Sequence, residues 1–247
     1  MRRLTVLGTS AAYPEAGRAA SGFLLEYDGY RLVLDLGYAT FPRLLEHTGV
    51  TGLDAVVITH EHPDHCADLS ALCRARYFAA ARPPRLPLYC TPGVVTRVQA
   101  MEPTEDLHDV FDIRPLPATA TASHRAGPLR LDTVPLPHHV PHAGVRLSAP
   151  GLTLAYSGDA GPGPGLAGLA AGADLFVAGA TVCGDGPGDP YLLSAAQAGQ
   201  WAKRAGAARL LLTHFWPGTD RTVALAEARR AFGGDVTAAE EDLQLPL

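Results

Sequence analysis

Residues 59–65, which read Thr-His-Glu-His-Pro-Asp-His, concentrate side chains that could bind a metal ion. Three imidazoles and two carboxylates fall within six consecutive positions. Neutral imidazole nitrogen and carboxylate oxygen are ligands that zinc and similar divalent ions take in proteins. The alternative is a solvated, histidine-rich loop, but ordinary core packing does not require this composition. We therefore predict that this segment binds metal.

The elements around the segment predict where its side chains lie. Residues 53–58 form a short apolar run rich in β-branched residues, which is typical of a buried strand. Residues 63–72 predict the start of a helix. On such a strand-to-helix turn, the first two histidines can face one point. The carboxylate of Asp64 and the third histidine, His65, can face a neighbouring point.

Three further candidate ligands follow other predicted strands. His138 comes directly after residues 133–137, Asp159 ends residues 152–159, and His214 ends residues 210–214. One turn supplies at most four ligands and cannot surround two ions alone. Polar side chains at the ends of buried strands are held rigidly, as a metal site requires. We therefore regard these three residues as the remaining candidates.

The composition is that of an ordinary globular protein. The chain has 247 residues, of which 47% are hydrophobic and 18% are charged, so it can bury a sizeable core. Its net charge of −5 gives no broad attraction to nucleic acid or to an anionic membrane. No apolar stretch reaches the roughly 18 residues that a membrane span needs. We expect no membrane partner.

The cysteines indicate a reducing compartment. The four cysteines form no C-x-x-C pair, and we expect them to be reduced, mostly buried thiols. A strand-like segment at residues 4–8 follows the first three residues, which leaves no room for a signal peptide. We therefore expect a cytoplasmic protein. The cysteines are Cys66, Cys73, Cys90 and Cys183.

Strands and helices alternate along the chain, which predicts an α/β fold with sheets between helical layers. The predicted strands are residues 4–7, 23–27, 31–35, 53–58, 86–89, 129–134, 144–148, 152–156, 175–177 and 210–213. Predicted helices begin near Pro42 and cover residues 69–81, 94–101, 194–205 and 222–232. Residues 161–165 and 184–190 are predicted loops. No linker or change of composition divides the chain, so we predict one domain over residues 1–247.

The chain resembles the metallo-β-lactamase superfamily, in the branch of single-domain hydrolases related to ribonuclease Z and phosphodiesterases. The motifs that show this cover nearly the whole chain. They are Leu7-Gly8-Thr9-Ser10, Leu34-Asp35-Leu36-Gly37, residues 59–65, His138 to Arg146, Tyr156-Ser157-Gly158-Asp159 and Thr213-His214. The resemblance implies a four-layer αββα sandwich.

The resemblance also implies a dinuclear metal site. By similarity, one ion is bound by His60, His62 and His138. The other is bound by Asp64, His65 and His214, and Asp159 bridges both. The expected cofactors are two divalent ions, with zinc as the first choice and manganese as the alternative.

Two histidines near His138 leave alternatives open. His139 competes for the same role, but the family pattern places a Gly-apolar-Arg motif six residues after the ligand. His138 fits that pattern through Gly144-Val145-Arg146. His142 is a candidate proton donor, a substrate contact or a surface residue. Asp64, His142 and metal-bound water are the candidates for protonating the leaving group.

The implied activity is hydrolysis by a hydroxide that two metal ions share. A small phosphodiester is the first choice of substrate, and Arg74, Arg76, Arg82 and Arg146 are candidates to contact its phosphate, the first three otherwise forming a solvated helix face. The alternatives are a carboxylic ester, lactone or thioester, for which Phe215-Trp216 could line an apolar wall. β-Lactam hydrolysis and a non-catalytic metal-binding role follow.

Three departures from ribonuclease Z argue against tRNA as a partner. Only 20 residues separate His138 from Asp159, where those relatives commonly carry a long tRNA-binding arm. Residues 178–181 replace their acid-containing motif, and residues 17–21 replace an Arg-Asn pair. We expect a small-molecule substrate, and a homodimer remains open.

Overall fold

The computed structural model describes residues 1–102, 107–182 and 188–247. By their contacts, these residues form two compact units. The first unit is Met1–Leu116 with Glu240–Pro246, and the second is Pro117–Ala239 with Leu247. Cys183 and residues 184–187 of the predicted loop lie outside the described residues. The expectation of one domain over residues 1–247 stays a prediction.

Strands and helices alternate in both units. The strands are β1 (Arg2–Gly8), β2 (Gly22–Tyr27), β3 (Tyr30–Leu36), β4 (Ala55–Ile58), β5 (Leu86–Cys90), β6 (Phe111–Pro115), β7 (Ala122–Ala126), β8 (Leu129–Pro135), β9 (Ala143–Ala149), β10 (Leu152–Tyr156), β11 (Leu175–Gly179), β12 (Arg209–Thr213), β13 (Asp235–Ala238) and β14 (Gln244–Pro246). The helices are α1 (Thr40–His47), α2 (Pro63–Cys66), α3 (Leu69–Tyr77), α4 (Pro92–Met101), α5 (Leu107–Val110), α6 (Pro164–Leu169), α7 (Ala195–Ala205) and α8 (Arg221–Phe232). In these residues, no helix is long and apolar enough to cross a bilayer.

The first unit contains a seven-stranded mixed sheet in the order β14-β1-β2-β3-β4-β5-β6. Strands β14, β1, β2 and β3 pair antiparallel, and β3 to β6 pair parallel. Asp28 and Gly29 both have positive φ and join β2 to β3, with Tyr27 paired to Tyr30. Two left-handed residues match the twist that a hairpin turn requires.

Apolar side chains of the first sheet pack against helices of the same unit. Val33, Val56 and Leu88 from the strands share one buried cluster with Leu72 and Val94 from α3 and α4. The four residues of β4 are all buried, as the sequence predicts for a strand covered on both faces. This packing fixes the end of β4, where the histidine-rich turn begins.

The second unit contains a seven-stranded mixed sheet in the order β13-β12-β11-β10-β9-β8-β7. Strands β10 to β13 pair parallel, and β7 to β10 pair antiparallel. Helix α7 begins at a capping box of Ser194 and Gln197 and ends at Gly206, whose φ is +66°. Gly199 lets α7 pack closely on α8, because a Cβ there would lie 2.6 Å from the carbonyl oxygen of Ala228.

The structure corrects several predicted boundaries. The helix expected from Pro63 ends at Cys66, a second helix begins at Leu69, and that helix ends at Tyr77 rather than at residue 81. Residues 161–165 are not wholly a loop, because α6 begins at Pro164. Proline is favoured in the first turn of a helix, which explains both the Pro63 and the Pro164 starts.

Candidate metal centre

The first group of candidate ligands lies in the turn after β4. His60 and His65 are fully buried, and Asp64 is 6% exposed. Nε2 of His60 lies 3.1 Å from Nδ1 of His62. Nε2 of His65 lies 3.7 Å from Oδ2 of Asp64. In each pair, the two ligand atoms are close enough to bind one ion, as the sequence predicts for this turn.

Asp35, at the end of β3, orients two of these histidines. Its Oδ2 atom lies 2.7 Å from Nδ1 of His65 and accepts the hydroxyl of Thr59 at 2.9 Å. Because that hydroxyl donates to Asp35, it accepts the Nδ1 hydrogen of His60, at 3.0 Å. Both rings are therefore protonated at Nδ1 and present the lone pair of Nε2.

Close backbone contacts hold Asp64 in the same turn. The amide of Ala12 donates to Oδ2 of Asp64 at 2.8 Å, and the amide of Ser21 donates to its backbone carbonyl at 3.0 Å. A Cβ on Gly37 would lie 1.8 Å from that carbonyl oxygen. Only glycine therefore lets the loop after β3 approach α2 this closely.

The second group of candidate ligands lies in the second unit and centres on Asp159. Nε2 of His214 lies 3.1 Å from Oδ1 of Asp159, and Nε2 of His138 lies 4.0 Å from Oδ2. The three side chains are at most 5% exposed. Each carboxylate oxygen of Asp159 therefore faces a different imidazole.

These two histidines also have their Nδ1 atoms held by oxygen. The hydroxyl of Thr181 donates to the backbone carbonyl of His214 at 2.9 Å and therefore accepts its Nδ1 hydrogen, at 2.8 Å. Nδ1 of His138 lies 3.2 Å from the backbone carbonyl of Tyr191, which can only accept. His138 and His214 thus present Nε2 toward Asp159.

The structure separates the neighbours of His138. His139 is exposed, and its ring lies 4.5 Å from the ring of Tyr191. His142 is 1% exposed, and its ring lies 5.6 Å from that of His138. The surface alternative for His142 is therefore wrong, while the proton-donor and substrate-contact alternatives remain.

The arginines suggested as phosphate contacts are engaged elsewhere. Arg146 donates to the carbonyl of Leu169 at 2.9 Å, and Arg74 pairs with Glu102 at 2.9 Å. Arg82 stacks on an aromatic ring. Arg76 is only 3% exposed and donates to two backbone carbonyls, so a solvated helix face is wrong for it. Burial lowers the pKa of the Arg76 guanidinium.

The two aromatic residues after His214 have different surroundings. Phe215 is 2% exposed, belongs to the core of the second unit and packs under the guanidinium of Arg221. Trp216 is 48% exposed and lines a largely apolar cavity of about 370 Å³, together with Val223 and Ala224 of α8. Only Trp216 is therefore placed to contact an apolar group from outside the protein.

A family model described as a beta-lactamase superfamily domain matches residues 33–215, a segment that includes all seven predicted ligands. The chain belongs to the metallo-β-lactamase superfamily. The crystal structure of YhfI from Bacillus subtilis, a protein described as a probable metallo-hydrolase, superposes with a TM-score of 0.88. It is 26% identical in that comparison, which covers 99% of both chains. This likeness confirms the predicted α/β sandwich.

Two other relatives extend this result. The chain is 34% identical to the uncharacterized protein ML1173 of Mycobacterium leprae, over 99% of this chain and 89% of that protein. It is 29% identical to a ribonuclease Z of Mycolicibacterium paratuberculosis, over 88% of this chain and 87% of that protein. The likeness to YhfI and to a ribonuclease Z places the chain among metal-dependent hydrolases.

Sequence reasoning missed the oxygens that hold the histidines. Asp35 and Thr59 were recognisable as polar residues at the ends of two predicted strands. Thr181 follows β11 in the same way. The carbonyl of Tyr191 had no signal, because every residue has a carbonyl and only the folded backbone selects one.

Proposed function

We propose that the protein is a hydrolase that uses two divalent metal ions, with zinc as the first choice and manganese as the alternative. The ions would be bound by the seven side chains of the ligand set that the family implies. The observation that supports this proposal most directly is which ring nitrogen each histidine presents. Four of the five present Nε2 because an oxygen holds Nδ1. The ligands are His60, His62, Asp64, His65, His138, Asp159 and His214.

The donor set suits such ions. Imidazole nitrogen and carboxylate oxygen are ligands for zinc and manganese, and the carboxylates of Asp64 and Asp159 offset part of the ionic charge. When bound, a pair of divalent ions lowers the pKa of shared water and stabilises negative charge on the substrate. Asp35 would fix the orientation of the His65 ring directly and that of the His60 ring through the hydroxyl of Thr59.

The leaving group needs a proton, and two residues of the chain are candidates to supply it. His142 is buried beside His138 and is assigned to neither ion, so we propose it as the first donor. Asp64 is the second, and because its Oδ2 atom accepts the amide of Ala12, the proton would be carried on Oδ1. Either group would hold the proton on a ring nitrogen or a carboxylate oxygen until the bond breaks.

A small phosphodiester is the substrate class that we propose. Similarity to ribonuclease Z supports a phosphate ester. The segment between His138 and Asp159 supports a small one, because β9 and β10 fill it and are joined by a turn at Gly151. This segment therefore has no room for an inserted tRNA-binding arm. We propose a free small molecule as partner and the cytoplasm as location, with a homodimer open.

A carboxylic ester, lactone or thioester is the second candidate. The observation that favours it is the apolar cavity beside Trp216, which could accept an acyl group. Trp216 follows the proposed ligand His214 by two residues in the sequence. The acyl chain would then lie against the indole ring while its carbonyl faces the metal ions.

A substrate panel separates these candidates. Protein loaded with zinc or manganese is assayed with bis(p-nitrophenyl) phosphate and with p-nitrophenyl esters, a lactone and a thioester. We expect phosphodiester turnover and about two bound ions by elemental analysis. Turnover of the carboxylic substrates alone would favour the second candidate, and two bound ions without any turnover would favour a non-catalytic metal-binding protein.

The variant Asp159→Ala tests the bridging role. Because both its carboxylate oxygens face imidazoles, its loss should reduce bound metal and abolish turnover together. His139→Ala is the control, since that ring is exposed, and it should keep both properties. Full metal content and activity in Asp159→Ala would contradict the proposed centre.

A further inference from the structure

Glu61 lies between two proposed metal ligands, and its side chain contacts an element outside the turn. Its carboxylate occupies the space that a side chain on Gly93 would fill. An ideal Cβ at Gly93 would lie 1.2 Å from Oε2 of Glu61 and 2.4 Å from its Cδ atom. The Glu61 carboxylate therefore rests directly on the first turn of α4.

The charge of Glu61 suits this position. Helix α4 is ten residues long, has no acidic residue in its first turn and has no side-chain cap from Thr91. The amides at a helix N-terminus carry partial positive charge, which a carboxylate stabilises. Arg97, one turn further along α4, approaches Oε1 of Glu61 at 3.3 Å. The first turn of α4 and Arg97 thus both attract the same carboxylate.

Helix α4 is a fixed support for this contact. Val94 and Val98 are fully buried in the core of the first unit, so the helix cannot shift easily. The backbone of Glu61 is held as well, because the thiol of Cys66 donates to its carbonyl at 3.6 Å. Glu61 is therefore fixed at its backbone and at its carboxylate, with His60 and His62 on either side.

We propose that Glu61 is a positioning residue, which docks on the first turn of α4 and thereby holds His60 and His62 in the orientation that binds metal. This contact requires glycine at position 93, because the side chain of any larger residue at Gly93 would push the Glu61 carboxylate away. This inference rests on the proposed metal centre. It adds to that centre a contact that involves no ligand atom.

The test is a double-mutant cycle read out as metal affinity. The variants are Glu61→Ala, Gly93→Ala and their combination, each titrated with zinc against a chromophoric chelator. Either single change should raise the dissociation constant by about tenfold, the lower end of the loss seen when an orienting residue is removed. The double variant should be no weaker than the singles, because both remove the same contact.

Two controls separate this role from general damage. Gly168→Ala places a methyl group in open space and should leave metal affinity unchanged. Glu61→Gln keeps the shape and removes the charge, so its affinity should lie between the wild type and Glu61→Ala. Unfolding of the metal-free variants by urea shows whether a lost affinity merely reflects a lost fold.

The outcomes distinguish this inference from the proposed function. Wild-type protein that binds no zinc would overturn the metal centre itself. Wild-type protein that binds two ions, with unchanged affinity in Glu61→Ala or Gly93→Ala, would overturn only the role of Glu61. Affinity losses that multiply in the double variant would show two independent effects and would also contradict it.

Discussion

Two buried threonines near His214, Thr181 and Thr213, differ in whether their hydroxyl groups orient this ligand. Thr181 holds Nδ1 of His214 and is 5% exposed. Thr213, one residue before His214, is 1% exposed, and its hydroxyl has no hydrogen-bond partner among the described residues. The two threonines are therefore alike in burial and close in space to one ligand, but only one orients it.

Thr181→Val should weaken metal binding by about 10–100-fold, because the ring of His214 loses the oxygen that fixes its tautomer. Thr213→Val is the matched change and should leave affinity intact, since it removes an unused buried hydroxyl. Chelator competition measures both. Equal affinities in the two variants would show that the Thr181 contact does not orient the ligand.

The ligand types could be predicted from the sequence, but their support could not. A histidine-rich turn after an apolar strand can be recognised in the sequence, and so can Asp159 and His214 after later strands. The pairing of Asp35 with His65 joins residues 30 positions apart and depends on β3 and β4 being neighbours. That adjacency is a property of the sheet, which one sequence does not show.

Close packing between elements makes Gly37 a sensitive position. It joins β3 to α1 and touches the backbone of Asp64 in α2. Gly37→Ala should lower the free energy of unfolding by about 1–3 kcal/mol, because backbone atoms cannot move aside as a side chain can. Metal affinity should fall as well, since the displaced segment contains two ligands.

Gly49→Ala is the control for this change, because a methyl group there would meet nothing within 4 Å. Its unfolding free energy should stay within about 0.5 kcal/mol of wild type. Urea unfolding followed by circular dichroism measures both variants. A Gly37→Ala variant as stable as Gly49→Ala would show that the loop adjusts at little cost.

Sequence patterns located the central strands better than the outer ones. Buried strands such as β4 and β12 have continuous apolar runs, and both were predicted. Strand β7 reads Ala-Ser-His-Arg-Ala and was missed, as were β6, β13 and β14. Edge strands are short and partly solvated, so they do not need the apolar alternation on which the prediction depends.

Thiol reactivity tests the packing of the molecule as a whole. Cys66, Cys73 and Cys90 are buried, and burial raises the pKa of Cys90 to about 12. At pH 8 only about one part in ten thousand of such a thiol is ionised, and the thiolate is the reactive form. Ellman titration of native protein should therefore find at most one fast thiol. Four thiols should react in urea, and more than one fast thiol before denaturation would contradict this packing.

Metal removal should lower the stability of the whole chain. Ions that bind only the folded state stabilise it by about 4 kcal/mol when present at a thousand times their dissociation constant. Dialysis against a chelator should therefore reduce the melting temperature, and added zinc should restore it. An identical melting temperature in both states, with metal content verified, would show that folding and binding are not coupled.

The path of the chain has a consequence for biosynthesis. Strand β14 pairs antiparallel with β1, with Leu4 opposite Leu245, although residues 117–239 come between them and form another unit. A ribosome makes β14, which pairs with β1, only after it has made residues 117–239. One edge of β1 in the nascent first sheet therefore stays unpaired during that interval. A chaperone that shields unpaired strand edges would be most useful at this stage.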